Sequence, residues 1–405
     1  MTADHPAALT VVGIGADGWP GLGGPARDAL AGADVVFGGS RQLALLPESV
    51  TAERVAWPTP LLPALPGLLA AHSRRACCVL ASGDPMFHGI GATLVRAVGA
   101  GSVRVLPHPS SVSLAAAALG WALADVDVLS LVTAPVAELH PLVHPGRRIL
   151  VLSRDGSTPA QVAALLTARG YGESAVTVLS SLGAESEAIL AGTAATWRES
   201  SVDPLNVVAV SCAGGGPPVP LVPGLPDDRY ESDGQLTKRE VRAVTLAALG
   251  PQPGELLWDV GAGSGSIAIE WMRSHRACRA VAIESSQPRA ARIAANAQAL
   301  GVPALRVVEG RAPDVLAGLP TPAAVFIGGG LTRDGVVEAC LSALPSGGRL
   351  VANAVTLESE SVLAGLYAKL GGELTRIAVN RASPVGGFTG WRAMMPVTTW
   401  ALVKP

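Results

Sequence analysis

Residues 255–284 constrain the fold more than any other stretch of the chain. An apolar run, Glu255-Leu256-Leu257-Trp258-Asp259-Val260, leads into Gly261-Ala262-Gly263-Ser264-Gly265, then a helical stretch, then a second apolar run ending Val281-Ala282-Ile283-Glu284. Glycines directly after a strand allow a sharp turn and a close backbone approach to a ligand. The helix that follows offers free N–H groups, and an acid about 20 residues on is placed for ribose hydroxyls. This part of the chain is therefore a βαβ unit with a nucleotide-type cofactor at the carboxyl ends of its strands.

Apolar runs continue on both sides of it. Candidate strands are 256–260, 280–284, 305–309, 323–327, 349–355, 374–381 and 397–403, with helical stretches between the first six. Such alternation predicts a parallel sheet covered on both faces. The seventh strand follows the sixth with no helix, so it pairs antiparallel. Upstream, Thr237-Lys238-Arg239-Glu240 has capping-box spacing ahead of a helix that stops at Gly250-Pro251. Before that, Gly214-Gly215-Gly216-Pro217-Pro218 and the prolines up to Pro226 read as a linker. The expected domains are 1–213 and 229–405, joined by 214–228.

The glycine spacing selects the cofactor. A dinucleotide loop would carry its third glycine at 266, where the chain has Ser266, and the glycine comes one residue early at Gly265. This spacing, with seven strands ending antiparallel, resembles the class I methyltransferases, a Rossmann-like fold that uses S-adenosyl-L-methionine. The resemblance implies cofactor contacts at Thr237, Gly261, Ala262, Gly263, Ser264, Gly265, Glu284 and Ala312. Gly310-Arg311-Ala312-Pro313 and Gly328-Gly329-Gly330 follow the third and fourth strands, where an α/β ligand sits.

The N-terminal half offers a false lead. Gly13, Gly15 and Gly18 fit G-x-G-x-x-G, and Asp34 lies nineteen residues beyond Gly15. The following Trp19-Pro20-Gly21-Leu22-Gly23-Gly24-Pro25 does not begin a helix on the third glycine, so the dinucleotide reading is rejected. Two later crossings are more specific: Gly83-Asp84-Pro85 with Gly89-Ile90-Gly91, and Pro107-His108-Pro109-Ser110-Ser111-Val112-Ser113. They resemble the tetrapyrrole (corrin and porphyrin) methylases, a two-lobed α/β class III methyltransferase fold. The resemblance implies lobes of about 1–120 and 121–213, the second opening near Arg148–Pro159, with Gly83, Asp84, Pro85, Ser110 and Ser111 beside a second S-adenosylmethionine.

The two modules in this order resemble the fused precorrin-6Y C5,15-methyltransferases (decarboxylating) of cobalamin biosynthesis. That family membership would imply methylation of precorrin-6B at C5 by the N-terminal domain. The C-terminal domain would methylate C15 and remove carbon dioxide from the C12 acetate, giving precorrin-8X. A conjugated tetrapyrrole is its own electron sink, so neither metal nor pyridoxal phosphate is needed. Methyl transfer is an in-line displacement that depends on alignment and exclusion of water, so no acid or base is assigned as catalytic. Ala16-Asp17 and Val132-Thr133-Ala134 depart from the methylase pattern.

Composition bounds the alternatives. A formal charge of −2 without a long basic run speaks against nucleic acid, and against an RNA or protein acceptor for the methyl group. A binding or regulatory protein with an inactive N-terminal module is the other competing reading. No stretch of about 18 apolar residues suggests a membrane span. No secretory signal is visible, which points to the cytoplasm. The five cysteines show no C-x-x-C spacing, and Pro141 and Pro145 keep His140 and His144 off one helical face, so no metal is expected. The expected partners are a corrinoid tetrapyrrole and, by resemblance, further copies of the chain. Lys238, Arg239, Arg311 and Arg381 are candidates for its carboxylates, while Lys238, Arg239 and Arg242 together read as a solvated helix face.

Overall fold

A computed structural model of the chain describes residues 9–216 and 219–405, in two compact units whose described parts run over 9–136 with 142–216 and over 137–141 with 219–405. No helix among these residues is long and apolar enough to cross a membrane.

In the second unit, seven strands lie in the order Arg306–Glu309, Arg279–Glu284, Leu256–Val260, Ala324–Ile327, Arg349–Ala354, Val397–Val403, Glu373–Ile377. The first five are parallel and Val397–Val403 is antiparallel to both its neighbours. Period-2 alternation sorts the buried side chains onto two faces. Leu257, Ala280, Ala282 and Phe326 pack with the helices Arg239–Leu249, Ser266–Ser274 and Gln287–Ala299. Trp258, Val260, Ile283 and Trp400 pack with Val336–Ala343 and Leu357–Leu370 on the other. Both faces are covered, which is why these strands read as continuous apolar runs.

Three expectations need correction. No helix forms between the third and fourth strands: residues 312–318 are turns, in a stretch carrying Pro313, Gly318 and Pro320. The sixth strand ends at Ile377, and Asn380–Val385 instead pairs with Phe388–Ala393 as a separate hairpin. The capping box at Thr237 does not form either: Lys238 is the N-cap and no side chain caps the helix. Glu240 is drawn to Arg381 at 2.6 Å, and the Thr237 carbonyl accepts from Arg242 Nη1 at 2.5 Å.

Arg242 is itself a correction. It is 0% exposed instead of solvated, and its Nε donates to Glu270 Oε1 at 2.5 Å. Glu270, also buried, accepts from Gly224 N (2.6 Å), Leu225 N (3.1 Å) and Tyr230 Oη (2.8 Å). Residues 219–226 have no regular structure, as a Gly/Pro segment should, yet this buried pair fixes their backbone.

The first unit holds two five-stranded sheets. One is wholly parallel, in the order Glu53–Ala56, Val35–Gly38, Cys77–Ser82, Leu9–Ile14, Val103–Leu106. The other runs Val126–Ser130, Arg148–Leu152, Asn206–Ser211, Ala175–Ser180, Ala188–Thr193, with only the first pair parallel. A single helical turn, Gly18–Gly21, does begin on Gly18, contrary to the sequence reading. It ends at Leu22, and the longer helix Gly24–Ala31 starts separately, so no helix of useful length points at the glycine loop.

Candidate functional site

A cleft of about 1210 Å³ opens at the carboxyl edge of the seven-stranded sheet. Its volume exceeds the roughly 300–1,000 Å³ usual for one drug-sized ligand. Thr237, Gly261, Ala262, Gly263, Glu284 and Ala312 all line it. Ser264 and Gly265 lie behind that wall: Ser264, 1% exposed, donates its hydroxyl to Gln235 O at 2.9 Å, and Gly265 caps the helix Ser266–Ser274.

The loop is built so that backbone faces the cleft. Gly261, at φ 70°, passes so close to the loop after the fourth strand that a Cβ would lie 2.6 Å from Gly329 N. Glu284, 5% exposed, accepts from Gly263 N through Oε2 and from Ser286 N through Oε1, both at 2.9 Å. The acid and the glycine loop therefore hold each other, leaving the remaining carboxylate lone pairs for hydroxyl donors. A glycine cradle that a Cβ would disrupt, beside an oriented buried carboxylate, fits the adenosyl and ribose parts of S-adenosylmethionine.

Asp259 supports this loop and was not singled out from the sequence. On the face of its strand that meets the helix Ser266–Ser274, its Oδ2 accepts from Ala268 N at 3.0 Å, capping a helix whose N-cap, Gly265, has no side chain. Burial, with Glu284 nearby, pushes its pKa up to about 7 against the lowering effect of that hydrogen bond. The signal available in sequence was a single polar residue inside an apolar strand. A carboxyl raised in the folded state loses its advantage as pH rises through that value. Urea unfolding of the second unit should therefore show stability falling from about pH 4 to 7, with a slope of up to about 1.4 kcal/mol per pH unit. Asp259→Asn should flatten this component, and an unchanged slope would contradict the assignment.

The basic candidates divide. Lys238, Arg311 and Arg381 line the cleft and Arg239 does not; Arg289, Arg333 and Arg392 line it without having been expected. Arg392 lies on the hairpin that the sequence reading missed.

In the first unit, the loops carrying Gly13–Gly15, Gly83–Pro85 and His108–Ser111 meet at the carboxyl edge of the parallel sheet. A Cβ on Gly13 would lie 2.2 Å from Gly83 O and 2.7 Å from His108 N, and one on Gly83 would lie 3.1 Å from Ser110 Cα. Asp84 Oδ1 accepts from Met86 N at 2.8 Å, forming a local turn ahead of Pro85's neighbours. Ser110 Oγ accepts from Ser113 N at 3.1 Å and caps Ser111–Leu119, so its side chain already has a structural task. His108 Nε2 lies 3.5 Å from Asp17 Oδ2, which places the departing Ala16-Asp17 pair at the same edge.

Comparison with known proteins covers both units. Residues 8–197 match the model of the Tetrapyrrole (Corrin/Porphyrin) Methylases, and residues 228–404 that of a Precorrin methyltransferase domain. A Precorrin-6Y C(5,15)-methyltransferase [decarboxylating] from Sinorhizobium sp is 50% identical over 398 residues, 98% of this chain and 96% of that protein. Two shorter relatives each match less than half of the chain. A probable cobalt-precorrin-6B C(15)-methyltransferase (decarboxylating) from Pyrobaculum calidifontis is 37% identical over 43% of this chain and 93% of its own length. A cobalt-precorrin-7 C(5)-methyltransferase from Salmonella typhimurium is 33% identical over 45% of this chain and 88% of its own.

Proposed function

Since the chain belongs to the family of decarboxylating precorrin-6Y C(5,15)-methyltransferases, we propose that it methylates precorrin-6B at C5 and C15 and decarboxylates the C12 acetate, giving precorrin-8X. S-adenosylmethionine, when bound, supplies an electrophilic methyl group on a sulfonium. The observation that carries the reading is the glycine cradle locked to Glu284 in a cleft larger than one ligand needs.

The residues of the second unit act mainly by placement. Gly261, Ala262 and Gly263 present backbone to the cofactor, Glu284 takes ribose hydroxyls, and Thr237 and Ala312 close its two sides. Gly328, Gly329 and Gly330 keep the facing loop free of side chains, so a flat acceptor can approach the cofactor edge on. Holding donor and carbon nucleophile in line can supply roughly 7–11 kcal/mol of the barrier, so methyl transfer here requires no catalytic acid or base. The C15 methylation and the decarboxylation are assigned to this unit and the C5 methylation to the first, where Gly83, Asp84, Pro85, Ser110 and Ser111 flank the second cofactor.

Mass spectrometry of the product tests the assignment. The full chain, incubated with precorrin-6B and methyl-labelled S-adenosylmethionine, should yield a product with two labelled methyls and one carbon dioxide lost. Absence of any labelled corrinoid would reject it and favour an RNA or protein acceptor.

A further inference from the structure

The charge lining the cleft suits neither the chain as a whole nor the cofactor. In a chain of formal charge −2, six basic side chains, Lys238, Arg289, Arg311, Arg333, Arg381 and Arg392, face one acid, Glu284. S-adenosylmethionine carries a sulfonium and an ammonium against one carboxylate, so excess cations do not serve it. They imply an anionic second ligand.

Hydrogen bonding separates the six into two sets. Arg289 donates to Asp233 at 2.8 Å and Arg333 to Asp314 at 2.9 Å. Arg381 is held by Glu240 at 2.6 Å and Asp227 at 3.1 Å. Lys238, Arg311 and Arg392 have no side-chain hydrogen bond or ion pair among the described residues. Arg392 stands directly opposite Arg381 in the hairpin register, an arrangement of like charges that weakens a strand pair unless an anion joins it. Arg381 has two such anions from the chain and Arg392 has none. The same cleft is also lined by Val355 and Met395, apolar side chains that remain 48% and 67% exposed.

We propose that Lys238, Arg311 and Arg392 anchor the acceptor through peripheral carboxylates that the product retains; this rests on the corrinoid reading of the cleft. Decarboxylation breaks the bond between the acetate methylene and its carboxylate carbon. The electron pair passes into the conjugated ring, carbon dioxide leaves, and a proton from water completes the methyl group. A guanidinium against that carboxylate would stabilise the charge that has to disperse. The departing acetate is therefore placed away from these three cations, against apolar lining such as Val355 and Met395.

The test uses the full chain carrying Lys238→Gln, Arg311→Gln and Arg392→Gln, singly and together. Each single change should raise KM for precorrin-6B roughly tenfold, the equivalent of one charge-assisted contact. The kcat for C15 methylation, the ratio of carbon dioxide released to C15 methyl added, and the S-adenosylmethionine affinity by calorimetry should hold. Arg392→Lys should recover part of the KM loss. An unchanged KM in the triple variant overturns the proposal, as does a fall in cofactor affinity that accounts for the activity change. A carbon dioxide to methyl ratio that changes in either direction would place an anchor on the departing carboxylate and overturn it too. Failure of the unsubstituted chain to methylate precorrin-6B would instead sink the corrinoid reading, and this proposal with it.

Discussion

Gly261→Ala is expected to lower C15 methylation and carbon dioxide release at least hundredfold. Gly261 has φ 70°, where an L side chain costs roughly 1–2 kcal/mol. The larger cost comes from space. The added Cβ would lie 2.6 Å from Gly329 N and Cα and 2.9 Å from Gly329 O, all backbone atoms that cannot rotate away. Both loops are tied to strand ends, Gly261 N donating to Ile283 O at 2.9 Å and Gly328 N to Val260 O at 2.8 Å. The loops after the first and fourth strands must therefore move apart, in the cradle where donor and acceptor are aligned. A misplacement of about 1 Å there is enough for a loss on the order of a hundredfold. Gly263→Ala is a graded comparison: φ is 60°, but the nearest atom to its Cβ would be Gln235 O, at 3.2 Å. Steady-state kinetics on both variants should rank Gly261→Ala as much the worse. Equal activities, or the reverse order, would show that contact between the loops does not shape the site.

What could be read from sequence follows from how far apart the interacting residues lie. The buried strands of the second unit were visible because helices cover both faces, so Leu256–Val260 and Arg279–Glu284 are nearly all apolar. The glycine loop and Glu284 were visible because they follow those strands directly. The hairpin was not: Asn380–Val385 and Phe388–Ala393 pair only with each other, and Phe388 and Trp391 are 85% and 79% exposed, so no buried face writes an alternation into the sequence. Arg392 was missed along with it. Arg242 was misread for a different reason: its partner Glu270 lies on another helix, 28 residues away, and charge patterning along one helix cannot reveal a pairing between two. Asp259 looked like a lapse in an apolar strand, because the helix N-terminus it caps begins beyond the glycine loop.

The buried pair yields the second large effect. Glu270→Ala should destabilise the second unit by about 3–5 kcal/mol, because Arg242, 0% exposed, would keep its charge with no carboxylate beside it at Nε. Gly224 N, Leu225 N and Tyr230 Oη would lose their acceptor at the same time. Burial and the Glu270 charge raise the Tyr230 hydroxyl well above its ordinary pKa, so it remains a neutral donor. Asp227 does not rescue Arg242, since it lies 3.4 Å from Nη1 and is shared with Arg381. The damage should reach the cleft, because Arg242 Nη1 also donates to the carbonyl of Thr237, whose residue lines it. Glu270→Ala should therefore lower both the denaturant midpoint of the second unit and its S-adenosylmethionine affinity. A well-packed apolar replacement of both partners, Arg242→Met with Glu270→Leu, should recover much of the stability, since removing both charges leaves neither stranded. It should not recover the affinity, because replacing Arg242 removes the donor to the Thr237 carbonyl altogether. If the double variant were as unstable as Glu270→Ala, the loss would lie in the unfastened 224–230 backbone, and the stranded charge would not be its cause.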